Sequence, residues 1–207
     1  MNELTQEFLS HLKLPTEKAA ALFVVAIVGN LGSGKSTVAR KLITQIPGAV
    51  YLQGDSARFI LSQHQMSWGD NVTYLIDAVA TTLISRGYAV VTDASTATAE
   101  GRDRIAQRAV AWGVRYGVVR VLCDRETCRS RLREKYDDAS WPSTFDRFRV
   151  NTTEKMLVNL DERSVIHEAL KSSDITNLLG EINNTGAPSD LDPKIQEIAD
   201  RVARHSW

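Results

Sequence analysis

Apolar residues along the chain form five short runs that alternate with stretches of helical periodicity. The longest run, residues 21–28, is continuously apolar and rich in β-branched side chains, which predicts a strand buried on both faces. Strands that alternate with helices form βαβ units, so the pattern predicts a three-layer α/β/α sandwich around a parallel sheet. The other four runs are residues 49–52, 88–92, 117–123 and 178–183.

Both ends of the chain carry helix signals. Residues 1–14 mix charges with large apolar side chains at helical spacing, which predicts an amphipathic helix and not a signal peptide. This helix could pack on the sheet or mediate a dimer, and packing is the simpler expectation. Near the other end, Asp192 is a predicted N-cap and Pro193 lies in the predicted first turn.

Length and composition fit one domain over residues 1–207, of which 43% are hydrophobic. The 25 basic and 25 acidic residues cancel, so the net charge does not attract the whole chain to nucleic acid or to acidic membranes. We expect no membrane span, because no apolar run reaches the roughly 20 residues needed. Cys123 and Cys128 are too few for a disulfide framework, which favours a reducing cytoplasm.

A glycine-rich loop directly follows the first predicted strand and precedes a helical stretch. It has two glycines separated by four residues and followed by Lys35 and Ser36, the pattern of a loop that binds nucleoside triphosphates. Backbone N–H groups of such a loop surround phosphate oxygens, and the helix dipole adds a positive end. Lys35 is predicted to reach the β- and γ-phosphates and Ser36 to bind Mg²⁺, so ATP and Mg²⁺ are the expected ligands. The predicted nucleotide contacts are Gly29, Asn30, Leu31, Gly32, Ser33, Gly34, Lys35, Ser36 and Thr37.

Acids at two strand ends could serve phosphoryl transfer. Asp55 follows the second strand and precedes Arg58 by three residues, so a carboxylate could take the proton of an attacking hydroxyl beside a cation that holds the acceptor. Asp93 ends the third strand and could hold Mg²⁺ or face the acceptor. Arg102 and Arg104 could bind an acceptor phosphate or sugar. The plainer alternatives are that the acids cap helices or turns and that the arginines are solvated.

An arginine-rich stretch follows the fourth strand. Arg129, Arg131 and Arg133 alternate at a spacing of two, and on a helix such side chains point in different directions. One or two of them could stabilise the charge that builds on a transferring phosphoryl group. We assign this role to Arg131 and expect an arginine-bearing helix and lid over about residues 125–150. Residues 138–144 could be the tip of that lid or a packed turn.

Taken together, GNLGSGKST, GDSAR, VVTDAS and CDRETCRSRLREK resemble the P-loop kinases of the polynucleotide 5′-kinase-like group, with gluconate kinases as more distant relatives. The resemblance covers about residues 23–135 and implies a five-stranded parallel sheet. It makes Asp55 the general base, Arg58 a contact to the acceptor or transition state, and one lid arginine the catalytic cation. Residues 184–188 resemble the loop that lies against adenine in such kinases, or form an ordinary turn. Where polynucleotide kinases commonly have Asp-x-Asn, this chain has Asp93 followed by Ala and Ser, which leaves the acceptor undefined.

The predicted activity is ATP-dependent transfer of the γ-phosphate to a hydroxyl of a small molecule or of a polynucleotide 5′ end. Residues 102–149 hold twelve Arg or Lys against seven Asp or Glu, an excess too small to choose between these acceptors. Trp68, Tyr74 and Trp141 could stack on bases or pack into the core. The alternatives are a nucleotide-dependent regulatory module and a toxin-like kinase that modifies a metabolite or antibiotic. The protein could act as a monomer or a homodimer.

Overall fold

The computed structural model describes residues 1–138, 140, 143–186 and 191–204. Along these residues one or two helices separate each strand from the next, and none of the helices is long and apolar enough to cross a membrane. The strands are β1 (Phe23–Gly29), β2 (Ala49–Leu52), β3 (Ala89–Thr92), β4 (Arg115–Leu122) and β5 (Leu178–Asn183). The helices are α1 (Asn2–His11), α2 (Lys35–Gln45), α3 (Gly54–Gln63), α4 (Gly69–Ser85), α5 (Ala99–Ala111), α6 (Arg125–Asp137), α7 (Thr153–Ala169) and α8 (Asp192–Ala203), with a short 3₁₀ turn at Ser172–Asp174.

All five strands are parallel and lie in the order β2-β3-β1-β4-β5. The predicted three-layer fold with a five-stranded parallel sheet is therefore confirmed. Because β1 is central, its carboxyl end is flanked by those of β3 and β4. Groups that follow these three strands are brought to one edge of the sheet, where doubly wound folds bind their ligands.

Side chains of β1 alternate between two cores, which explains why the run is apolar throughout. Val24, Ala26 and Val28 pack with residues of α1, α3 and α4 on one face of the sheet. Phe23, Val25 and Ile27 pack with residues of α2 and α8 on the other face. Each residue of β1 is buried.

The N-terminal helix α1 packs onto α3 and α4 through its apolar face. Phe8 is fully buried, and its ring meets the ring of Phe145 edge-on at a centroid distance of 4.9 Å. His11 stacks on the same Phe145 ring at 4.8 Å. The helix thus holds the segment between α6 and α7 as well as covering the core.

Truncating Phe8 to leucine should destabilise the protein by about 1–2 kcal/mol, because the smaller side chain loses contacts in a closed core and breaks the aromatic pair. Chemical denaturation of Phe8→Leu would measure this change. Tyr74→Leu is the matched control, since Tyr74 is 56% exposed and the same kind of truncation should there cost less than about 0.5 kcal/mol. Equal stabilities of the two variants would show that the Phe8 ring does not contribute to the stability of the core.

The predicted cap of the last helix is wrong by one position. Asp192 is the first residue of α8, and Leu191 occupies the N-cap without a side-chain capping bond. The Asp192 carboxylate instead pairs with Lys41 of α2, which joins the two helices on this face of the sheet. Pro193 lies in the first turn of α8 as expected.

Candidate active site

The glycine-rich loop connects β1 to α2 and has a backbone that only glycine accommodates at two positions. Gly32 and Gly34 have φ angles of 72° and 90°, in the left-handed region that side chains disfavour. A Cβ atom on Gly32 would lie 2.5 Å from the carbonyl oxygen of Cys128, and one on Gly34 would lie 2.0 Å from the Asn184 side-chain nitrogen. Segments around Cys128 and Asn184 therefore enclose the loop on two sides.

Lys35 points its ammonium group back into the loop. Its Nζ donates to the carbonyl oxygens of Gly29 at 3.0 Å and Asn30 at 2.8 Å. Burial lowers the pKa of Lys35, while the charges of Asp93 and then Asp55 act to raise it. A phosphate is a stronger acceptor than these neutral carbonyls, so the loop fits an anionic ligand.

Several of the predicted nucleotide-binding residues also contact other parts of the protein. The Asn30 amide donates to Ser164 on α7 at 2.8 Å, and Leu31 packs against the apolar cluster between α6 and α7. The Ser33 side chain is fully buried, and its hydroxyl has no hydrogen-bond partner among the described residues. Asn184 donates from Nδ2 to the Ser33 carbonyl oxygen at 2.7 Å and so ties the end of β5 to the loop.

A cleft of about 650 Å³ lies over the loop at the carboxyl edge of the sheet. Asp55 and Arg58 of α3 line the same cleft and form an ion pair at 2.8 Å. Neither side chain is fully buried, so both can reach a ligand. The predicted site residues that line this cleft are Gly29, Leu31, Gly32, Gly34, Lys35, Ser36, Thr37, Asp55, Arg58, Asp93 and Arg131.

Asp93 follows β3 and is held firmly on both carboxylate oxygens. Tyr51 of β2 donates its phenol proton to Oδ2 at 2.8 Å, and the backbone N–H of Gly54 donates to Oδ1 at 3.0 Å. Burial raises the pKa of the Tyr51 phenol well above the usual value. Ser36 and Asp93 supply oxygen ligands, which Mg²⁺ prefers, and water and phosphate oxygens usually complete its coordination. The residues present therefore fit Mg²⁺ bound together with a nucleotide.

The arginine side chains of α6 point in different directions, as expected for residues spaced two apart on a helix. Arg131 lines the cleft, and its guanidinium contacts the Cys123 sulfur at 3.4 Å. Arg129 turns to α7 and binds Asp161 at 2.7 Å. Arg133 is exposed and is not among the residues that line the cleft.

Further cations reach the cleft from positions that the sequence analysis did not select. Arg163 enters from α7, and the charge of Arg163 helps to lower the pKa of Lys35. Lys135 enters from α6, where burial lowers its pKa and Asp55 acts to raise it. Arg40 of α2 donates to the Gln53 side chain and to the Asp146 carbonyl oxygen, both at 3.1 Å. Arg163 lies three residues after buried Leu160 and next to buried Ser164, so a helical-wheel reading could have placed it beside the buried face of α7.

The segment that follows α6 is fixed to the body of the protein near Phe145. The Phe145 ring is buried, and its carbonyl oxygen accepts a hydrogen bond of 2.7 Å from Ser56 on α3. Phe148 adds edge-on contacts with the rings of Phe59 and Trp68. The predicted lid thus has a firm attachment at its far end. Residues 139, 141 and 142 of the predicted lid tip, Trp141 among them, lie outside the described residues.

Arg102 and Arg104 are not brought to the cleft. Arg102 is buried and donates to the carbonyl oxygens of Thr96 and Ala97, so it fixes the loop between β3 and α5. Arg104 lines a separate small pocket between α4 and α5. Of the aromatic residues considered for base stacking, Trp68 is partly buried against the core and Tyr74 is exposed.

A family model described as "AAA domain" matches residues 24–158 of the sequence. The chain belongs to this AAA-domain family. Since the match spans the glycine-rich loop, both strand-end acids and α6, the resemblance to P-loop kinases that the motifs suggested is confirmed. No curated protein sequence matches the chain.

Solved structures share the fold of this AAA domain at low sequence identity. A gluconokinase from Sinorhizobium meliloti 1021 superposes with a TM-score of 0.56 at 15% identity, over 90% of this chain and 95% of the other. Chaetomium thermophilum Kti12 in complex with ADP-AlF₃ gives 0.59 at 13% identity, over 87% and 97%. A chain of the Pnkp1/Rnl/Hen1 RNA repair complex gives 0.51 at 20% identity, over 75% and 51%. These likenesses establish a P-loop kinase-like fold but do not identify a substrate.

Proposed function

We propose that this protein is an ATP-dependent phosphotransferase that moves the γ-phosphate to a hydroxyl group of an acceptor. The observation that carries the proposal is the placement of the Asp55–Arg58 pair in the same cleft as Lys35. A loop that only binds a nucleotide has no use for such an acid and cation in its cleft. A phosphotransferase needs both, one for the proton and one for the acceptor.

In the proposed reaction, the acceptor hydroxyl gives its proton to the Asp55 carboxylate as its oxygen bonds to the γ-phosphorus. The bond between that phosphorus and the β,γ-bridging oxygen breaks, and ADP leaves. Lys35 and Arg131 line the cleft and stabilise the charge on the transferring group. Arg58 orients Asp55 through their ion pair and contacts the acceptor. Mg²⁺, bound through Ser36 and Asp93, would neutralise phosphate charge.

The acceptor is a small molecule or a polynucleotide 5′-hydroxyl, and a direct assay separates them. The test is transfer of labelled γ-phosphate from ATP with Mg²⁺ to 5′-hydroxyl oligonucleotides, nucleosides, sugars and sugar acids, with GTP as the alternative donor. Labelled product in one class supports the proposal and identifies the acceptor class. If nucleotide binds but the whole panel stays unlabelled, and Asp55 variants behave as the parent, the protein is a nucleotide-dependent regulatory module instead.

Nucleotide binding itself should depend on Lys35. Lys35→Ala removes a charged hydrogen bond to the phosphates and should weaken ATP binding about 10- to 100-fold, measured by titration of a fluorescent ATP analogue. Lys41→Ala is the matched control, because Lys41 lies on the same helix and pairs with Asp192 outside the cleft. Equal affinities for both variants would contradict the assignment of the loop.

A further inference from the structure

Tyr51 occupies a position in the sheet beside Asp93, one of the two groups proposed to bind Mg²⁺. It lies in β2, next to Val91 of β3, which is two residues before Asp93. Its phenol reaches past the end of β3 and donates to the Asp93 carboxylate at 2.8 Å. The guanidinium of Arg40 lies 5.8 Å from the centre of the ring. A side chain of the neighbouring strand therefore holds the acid that follows β3.

The hydrogen atoms available fix the direction of this network. A phenol has one proton, and an ionised carboxylate only accepts, so the Tyr51 proton goes to Asp93. The second Asp93 oxygen is held independently by the Gly54 N–H group.

We propose that Tyr51 is a positioning residue of the Mg²⁺ site, which holds the Asp93 carboxylate in place for the metal. This inference rests on the proposed function only for the presence of Mg²⁺ with the nucleotide, and it requires no phosphoryl transfer. Groups that hydrogen-bond to metal ligands commonly set metal affinity as strongly as the ligands' own geometry does.

The test separates the effect on Mg²⁺ from the effect on nucleotide. Tyr51→Phe keeps the ring and removes the hydroxyl, so the affinity for a fluorescent ATP analogue in EDTA should stay within about twofold of the parent. The Mg²⁺ concentration that gives half of the metal-dependent binding change should rise about 10-fold. Mn²⁺ binding to the protein–ADP complex, followed by electron paramagnetic resonance, should weaken by the same factor. Tyr88→Phe is the matched control, because it also loses one hydrogen bond, to the Pro15 carbonyl oxygen, away from the cleft.

Two further results decide the inference. In a cycle with Asp93→Asn, the loss of Mg²⁺ affinity in the double variant should be smaller than the product of the two single losses, because Tyr51 acts through Asp93. An unchanged Mg²⁺ dependence in Tyr51→Phe would overturn the role of Tyr51, as would equal weakening with and without Mg²⁺. If the parent fails to transfer phosphate but shows the Mg²⁺ effect and its loss in Tyr51→Phe, only the proposed function falls.

Discussion

Asp55→Asn should lower kcat for phosphoryl transfer by about 10²- to 10⁴-fold while leaving ATP affinity close to that of the parent. The amide has nearly the size of the carboxylate but cannot accept the hydroxyl proton, and positioned general bases are worth this factor. Asp55 lies on α3 and not on the loop that carries nucleotide affinity, which is why binding and catalysis should separate. Steady-state kinetics with the acceptor identified by the labelling panel, together with fluorescent nucleotide titration, would measure both quantities.

Two controls keep this result specific. Asp103→Asn makes the same chemical change on exposed α5, outside the residues that line the cleft, and should leave kcat unchanged. Arg58→Gln breaks the ion pair from the other side and should raise the acceptor KM as well as lower kcat, since Arg58 is assigned to the acceptor too. Asp55→Asn with the parent's kcat would remove Asp55 as the base.

Features that depend on residues close together in sequence could be predicted from the sequence. The first six residues of β1 alternate between two cores, so the run had to be apolar, and that pattern is visible without a structure. Gly32 and Gly34 have left-handed backbone angles, and neighbouring atoms leave no room for a Cβ at either position. The glycines of the motif indicate such a loop without a structure. Asp55 and Asp93 closely follow the ends of parallel strands, which places them at one edge of the sheet by topology alone.

Features that depend on the packing of distant elements could not be predicted in the same way. Whether an arginine faces the cleft is decided by the rotation of its helix, and that rotation follows from contacts of α6 with α7. Arg163 enters the cleft although no motif includes it, whereas Arg102 lies in the sequence where an acceptor contact was expected and binds backbone carbonyls instead. The anchoring of Phe145 against Phe8 joins residues 137 positions apart, which no local pattern indicates.

Positive charge in the cleft exceeds what its own carboxylates balance. The charge of Arg163 helps to lower the pKa of Lys35, and the charge of Arg58 helps to lower the pKa of Arg163. Burial is the larger cause for both groups, so the cleft combines desolvation with repulsion between like charges. Both costs fall when a polyanion enters, because phosphate oxygens provide charged acceptors for all three side chains. The arrangement therefore favours a bound nucleotide over the empty cleft.

Arg131→Ala should lower kcat by about 10³-fold, the lower end of the range for arginines that stabilise a transferring phosphoryl group. Arg131 projects from α6 into the cleft close to the loop, with only the Cys123 sulfur as its hydrogen-bond partner among the described residues. Its guanidinium is thus available to a phosphate without first breaking an ion pair. The measurement is single-turnover transfer to the identified acceptor, because a single turnover separates chemistry from product release.

Arg129→Ala provides the matched control on the same helix, two residues away. Its guanidinium is already bound to Asp161 of α7, so this change should lower kcat less than about threefold and act instead on the packing of α6 against α7. Arg163→Ala should show a loss between these limits, since Arg163 reaches the cleft from α7 and repels Lys35 when no phosphate lies between them. If Arg129→Ala were as damaging as Arg131→Ala, the loss would come from the α6–α7 contact, and neither arginine would be the catalytic cation. A large loss in kcat confined to the Arg131 and Arg163 variants would instead show that both helices stabilise the charge of the transition state, with α6 and α7 each supplying one cation.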